Sequence, residues 1–302
     1  MKKHRKPLTA SEKHEHLMGY LLMAPAAILL FAFTVYPIIY LFYRSMHGGN
    51  LVTNDPQYVG MGNYKTLLSS PDFHQVLLNT LGYTVITVVV TILLALLIAA
   101  WLSSTKKSGL NELVQATIFT PHIISMVSIA TLFTWMMDSK NGLFNTVLSF
   151  LGLPKGTWIA SPDTALASVA LVSIWKGLGY YVLLIMAALQ NIPREVYEAA
   201  EMDDTPKFRT FVKISLPMIS PTILLVSVIA TMSSFRVFDS VSIMTGGGPT
   251  NSTNTLVYFI YEYAYQYGKP GLACAAGVVL LLFVCLITFI QFRASKNIVH
   301  YQ

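Results

Sequence analysis

Charge is what this chain has least of. Asp, Glu, Lys and Arg make up 11% of its 302 residues, against 54% hydrophobic residues, whereas soluble domains carry about 25% charged residues. That balance excludes a soluble globule. Cysteine is almost absent as well. Cys274 and Cys285 are the only two; three turns apart on one apolar helical run, they cannot bridge each other and read as small packing residues. No Gly-x-x-x-x-Gly-Lys-Ser/Thr loop occurs, so the chain lacks the usual ATP cradle. His14-Glu15-His16 does not have the His-Glu-x-x-His spacing of a zinc helix, and no nucleophile–base constellation stands on any loop. Neither a metal nor a catalytic site is expected.

Long apolar runs fill the space that charge leaves. Six runs reach or exceed the roughly 18 to 20 residues that cross a bilayer: 17–43, 77–102, 114–137, 165–189, 218–241 and 272–292. The expected fold is therefore all-α and polytopic, a single six-helix domain over 17–302 preceded by a basic tail at 1–16. The first run is longer than the ~7–15-residue core of a cleavable signal and passes Ala24-Pro25-Ala26 without a polar break, so it is expected to stay as a span.

The net charge of +6 is a topology signal, not the footprint of a nucleic-acid partner. Thirteen Lys and Arg fall in 1–16, 103–113, 191–217 and 293–302, against five in the alternate loops 44–76, 138–164 and 239–271. The positive-inside bias places both termini and the 191–217 segment in the cytoplasm. The outer segments carry turn chemistry: Gly60-Met61-Gly62-Asn63, Gly142 to Asn145 with Trp158, and Thr245 to Pro249.

The 191–217 segment is the most informative stretch. Asn191 suits an N-cap, Pro193 a first helical turn, and Glu195 and Glu198 the positive end of a short helix. Asp203-Asp204-Thr205-Pro206 should break that helix, because Pro206 removes an amide donor and biases Thr205 away from the helical region. A second short helix should follow, with Phe208, Phe211 and Val212 on one face. A compact helix-turn-helix between two apolar spans is a grip for a soluble partner.

The pattern Glu198-Ala199-Ala200, two residues, Asp203, and then Ile214-x-Leu216-Pro217 resembles the coupling loop of the membrane subunits of binding-protein-dependent ABC importers. Asp204 stands where that family has glycine. Glycine there suits a turn with positive φ, which Asp tolerates better than most side chains. From Tyr20 onward the chain also resembles carbohydrate-uptake permeases of the first maltose and glycerol-3-phosphate type. The resemblance implies a type I importer permease fold in a bacterial cytoplasmic membrane. It implies a second, similar permease, two copies of a cytoplasmic ATPase that uses ATP and Mg, an external solute-binding protein and a sugar substrate. This chain itself should bind no cofactor.

Polar residues recur at helical spacing on three runs. Thr80, Thr84, Thr87 and Thr91 share a face of the second, and Ser227, Thr231 and Ser234 a face of the fifth; in lipid such stripes pack helices and hydrogen-bond between them. Ser173, Lys176, Gly177 and Tyr180 share a face of the fourth. A mid-span lysine facing lipid costs about 2.5–3.5 kcal/mol, so Lys176 should face a cavity or a partner. Arg236 and Asp239, three apart, are placed to pair if the helix runs through both. His122 after Pro121 reads as a polar kink-filler or a substrate contact. By resemblance, Ser173, Lys176, Gly177 and Tyr180, with Ser233 and Ser234 on the next helix, fall at substrate-lining positions. The reading from another class is a self-contained secondary transporter of a polar solute. It lacks an intramembrane acid for a proton relay.

Overall fold

The structure, a computed structural model, describes residues 10–50, 56–104 and 109–295. Residues 1–9 of the basic tail lie outside this range, while 10–16 are helical and run straight into the first span. Among the described residues there is no strand, only an isolated bridge between His47 and Tyr58. Four helices are uninterrupted and apolar enough to cross a membrane: His14–Ser45, Pro71–Ser104, Pro162–Gln190 and Pro270–Ser295. Two bent helix pairs reach the same length and apolarity when each is taken together, Asn111–Ile123 with Met126–Met136 at 99° and Lys207–Met218 with Ser220–Phe235 at 70°. The third span, expected to be continuous, is thus broken, while the 70° bend falls at Ile219, where the 191–217 segment meets the fifth span.

Proline chemistry explains much of this irregularity. Pro37 and Pro217 lack the amide a helix needs, and their rings crowd the carbonyl four residues back. In both cases a π-helical turn opens just there, over Phe31–Val35 and Phe211–Ser215, and the helix then continues. In the third span Pro121 lies inside the first half, and the chain breaks four residues later, where Ser125 takes an extended ψ of 136°. The fifth helix ends at Phe235, and a new one starts at Asp239. The Arg236–Asp239 pair therefore does not form: Arg236 Nε donates to Met232 O instead. The one ion pair among the described residues is Arg194–Glu198.

The second span forms the spine. Its buried residues step by three or four from Phe73 through Thr80, Thr84, Thr87 and Thr91 to Ala95, Ala99 and Leu102. Small side chains along that stripe let the fourth span approach closely, and hydroxyls fix it to other helices. Thr80 Oγ1 accepts the amide of Leu256 at 2.9 Å, and Thr87 Oγ1 lies 2.8 Å from Ser234 Oγ. Thr231 on the fifth span accepts Gln291 Nε2 of the sixth at 2.8 Å. Glycine allows a closer approach still. A Cβ on Gly179 would collide with Ile118 O and sit 2.7 Å from Phe119 Cα, so the fourth span lies against the bare backbone of the third.

The outer segments are tied down by asparagines. Asn63 Nδ2 donates to Ser45 O and His47 O, satisfying the end of the first span. Asn79 Nδ2 donates to Asn251 O and Asn254 O and pins the third outer loop to the second span. Asn145 donates to Ser139 O and Gly156 O while accepting from the Gly156 amide and Trp158 Nε1. Both N–H donors of each of the three amides are used.

Candidate functional site: a polar cavity linked to a coupling segment

A cavity of about 260 Å³ lies among the second, third, fourth and fifth spans. Of the residues singled out from the sequence, Ser173, Lys176, Gly177, Ser233 and Ser234 line it. Tyr180 does not: its ring stacks on His122, with centroids 5.0 Å apart and planes 11° from parallel. Its neighbour Tyr181 lines the cavity instead, because a helix turns by about 100° per residue and exchanges one face for the next. Thr87 and Thr91, read as packing residues, line it too, as do Arg236 and Asp239. Their signals were the threonine stripe and two charges at the edge of an apolar run. Tyr83 and Tyr181 carried no such signal.

Lys176 sits midway along Pro162–Gln190, fourteen residues from either end, about 21 Å of helix each way. Its Nζ donates to the carbonyl of His122 at 3.0 Å. That carbonyl is one of the last of the helix ending at Ile123, where intrahelical donors have run out. The lysine thus fills an acceptor that the broken third span leaves open, with the favourable placement of a cation at a helix C-terminus. Its other two N–H donors are left for the cavity.

The segment 191–217 forms two helices, Arg194–Met202 and Lys207–Met218. Asn191 is not an N-cap: it closes the fourth span, and Pro193 precedes the first coupling helix. Arg194 and Glu198 pair across one turn at 3.0 Å, both exposed. Ala199 is exposed and Ala200 buried, so the Glu-Ala-Ala triplet straddles the boundary between surface and core. At its end Thr205 N bonds to Ala200 O and Asp204 N to Glu201 O, the two bonds of a Schellman cap. Asp204 carries the left-handed φ of +49° that this cap requires. Asp203 is the last residue before it, and its amide still bonds to Ala199 O.

The second coupling helix differs from expectation. Ile214, Leu216 and Pro217 lie inside it, half-buried, and it runs on to Met218 before the chain turns into the fifth span. Phe211 packs inward, whereas Phe208 and Val212 point outward. Tyr197 Oη lies 3.2 Å from Ser215 Oγ and joins the two helices. Val196, Tyr197, Phe211 and Met218 pack with Ile185, Leu189, Ile192 and Val226 in one core at the inner ends of the spans. Met202 and Phe208 are left 88% and 80% exposed at the tip. The segment is thus packed directly onto the fourth and fifth spans, two of the four that line the cavity.

Comparison with known proteins agrees with this geometry. Residues 88–299 match the family described as binding-protein-dependent transport system inner membrane component. The chain is 33% identical over 292 residues to the lactose transport system permease protein LacF of Rhizobium radiobacter, covering 95% of this chain and 96% of that one. It is 32% identical over 284 residues to the sulfoquinovosyl glycerol transport system permease protein SmoG of Agrobacterium fabrum, covering 94% and 92%. Among solved structures, a chain of a bacterial alginate ABC transporter, crystallised with an alginate pentasaccharide-bound periplasmic protein, superimposes with a TM-score of 0.84. That match has 25% identity and covers 97% of this chain and 98% of that one. The chain belongs to the family of binding-protein-dependent transport system inner membrane components and is an ABC importer permease, a transport subunit and not an enzyme.

Proposed function

We propose that the chain forms part of the translocation path for a sugar or oligosaccharide handed over by an external binding protein. The observation that carries this reading is the single packed core joining the two helices of the 191–217 segment to the fourth and fifth spans, two of the four that line the polar cavity. A second, similar permease completes the path, and two cytoplasmic ATPase subunits bind and use ATP and Mg. Glu198, Ala199, Ala200, Asp203, Asp204, Ile214, Leu216 and Pro217 shape the surface that the ATPase grips. Met202 and Phe208 supply apolar knobs for a groove on that partner. Ser173, Lys176, Gly177, Ser233 and Ser234 face the solute. The relatives' names, lactose, sulfoquinovosyl glycerol and alginate, support a carbohydrate without fixing which one.

ATP-driven closure of the ATPases moves the coupling helices, and the spans reorient around the cavity. The positive-inside bias puts the coupling segment and both termini in the cytoplasm. The test is uptake of labelled sugars into proteoliposomes holding the full complex and its binding protein. Uptake should require internal or external ATP at the ATPase face and should survive collapse of ion gradients. Uptake driven by an ion gradient without ATP would establish the secondary-transporter reading instead.

A further inference from the structure

We propose that the solute crossing this cavity carries an anionic group, a carboxylate, sulfonate or phosphate, received by Lys176 and Arg236. The inference rests on the carbohydrate reading above and narrows it to acidic sugars. Three side chains with a fixed formal charge line the cavity: Lys176 and Arg236 are positive and Asp239 is negative. With His122 neutral the lining carries +1.

These charges form no contact ion pair with one another. Among the described residues no carboxylate lies within 4.0 Å of either cation, since the sole ion pair is Arg194–Glu198 on the coupling helix. Each cation makes one hydrogen bond to protein, Lys176 Nζ to His122 O and Arg236 Nε to Met232 O. Lys176 therefore keeps two free donors, and Arg236 keeps its guanidinium fork, the group suited to bidentate capture of a carboxylate or sulfonate. Asp239 is exposed in the first turn of its own short helix, where a carboxylate is favoured without a cation.

A neutral sugar does not require two cations on the lining. Hydroxyls on a pyranose are served by Ser173, Ser233, Ser234 and Thr87, none of which costs a charge in the membrane. The cations are staged along the path, Arg236 just past the outer end of the fifth helix and Lys176 at mid-span. Both face one cavity, where low-dielectric walls strengthen the contact of either cation with an anion.

The experiment uses the intact complex with its binding protein. Probes are uronate-, sulfonate- and phosphate-bearing mono- and disaccharides, each paired with its neutral parent. The variants are Lys176→Gln and Arg236→Gln. Gln at 176 still has an amide N–H for His122 O, so the cap on the third span is kept while the charge is lost; Lys176→Arg keeps both. ATP-dependent uptake of at least one acidic probe is expected to exceed that of its parent. Per assembled complex, the acidic-to-neutral ratio should fall about tenfold or more in each Gln variant, with Lys176→Arg above Lys176→Gln. Uptake of neutral members only would overturn the acidic assignment and leave the carbohydrate reading standing. Unchanged ratios in the Gln variants would overturn it too. Absence of ATP-dependent uptake for every pair would refute both.

Discussion

A single methyl group added at Gly179 probes a direct backbone contact between two helices. The new Cβ would collide with Ile118 O, and it would lie 2.7 Å from Phe119 Cα and 2.8 Å from Ile118 C. All three obstacles are backbone, so no side chain can swing aside; the fourth span and the first half of the third must separate. Overpacking of this kind costs about 1–3 kcal/mol, and rigid obstacles put Gly179→Ala toward the upper end. The separation also carries away His122, one turn past Ile118, and stretches its carbonyl from Lys176 Nζ, now at 3.0 Å. Stability and uptake should therefore fall together. Gly82→Ala is the control, because its Cβ would meet only Leu166 Cδ2, at 3.9 Å. Since Ala is a better helix former than Gly by roughly 0.5–1 kcal/mol, Gly82→Ala should be neutral or stabilising. The assay is thermal unfolding of the purified complex, with uptake measured per assembled complex. Equal midpoints for the two variants would refute the claim that backbone contact at Gly179 sets the helix spacing.

Glu198→Lys removes the exposed pair with Arg194, a loss of only about 0.2–0.5 kcal/mol, so the protein should assemble while ATP hydrolysis no longer drives uptake; normal coupling would sink the ATPase-contact reading. Asp204→Gly should stabilise by up to about 1 kcal/mol, because glycine adopts the left-handed cap without a Cβ penalty, and a lowered melting midpoint would show that Asp204 does something besides turning the chain. Asn145→Ala leaves the Gly156 amide and Trp158 Nε1 without their shared acceptor, and should cost about 1–3 kcal/mol and speed protease cleavage within 139–158; wild-type protection would mean that the loop is held elsewhere. In a background lacking Cys274 and Cys285, a cysteine at exposed Thr250 should react with an impermeant reagent outside intact cells and one at exposed Pro206 should not; the reverse pattern would invert the topology.

Much of this protein was settled by composition and local chemistry. Scarce charge and six long apolar runs imply a helical membrane domain, because a bilayer admits backbone only when its polar groups are paired within the segment. The turn at Asp204 was legible for a similar reason: a left-handed residue after a short helix is a local requirement, and it appears at φ +49°. The uninterrupted second, fourth and sixth spans follow from hydropathy with ends shifted by six residues or fewer. Hydropathy could not show the break in the third span. It averages over side chains, whereas the break after Pro121 leaves a carbonyl, His122 O, that Lys176 of another helix answers. Tertiary structure alone brought Lys176 to His122 O across 54 residues. It also turned Tyr180 onto His122 and Tyr181 into the cavity, and set Phe208 outward while Phe211 packed inward. Periodicity says which residues share a face. Which face meets a neighbour is decided by close approach at points such as Gly179, where fit between two backbones, not the pattern of either helix, selects the rotation.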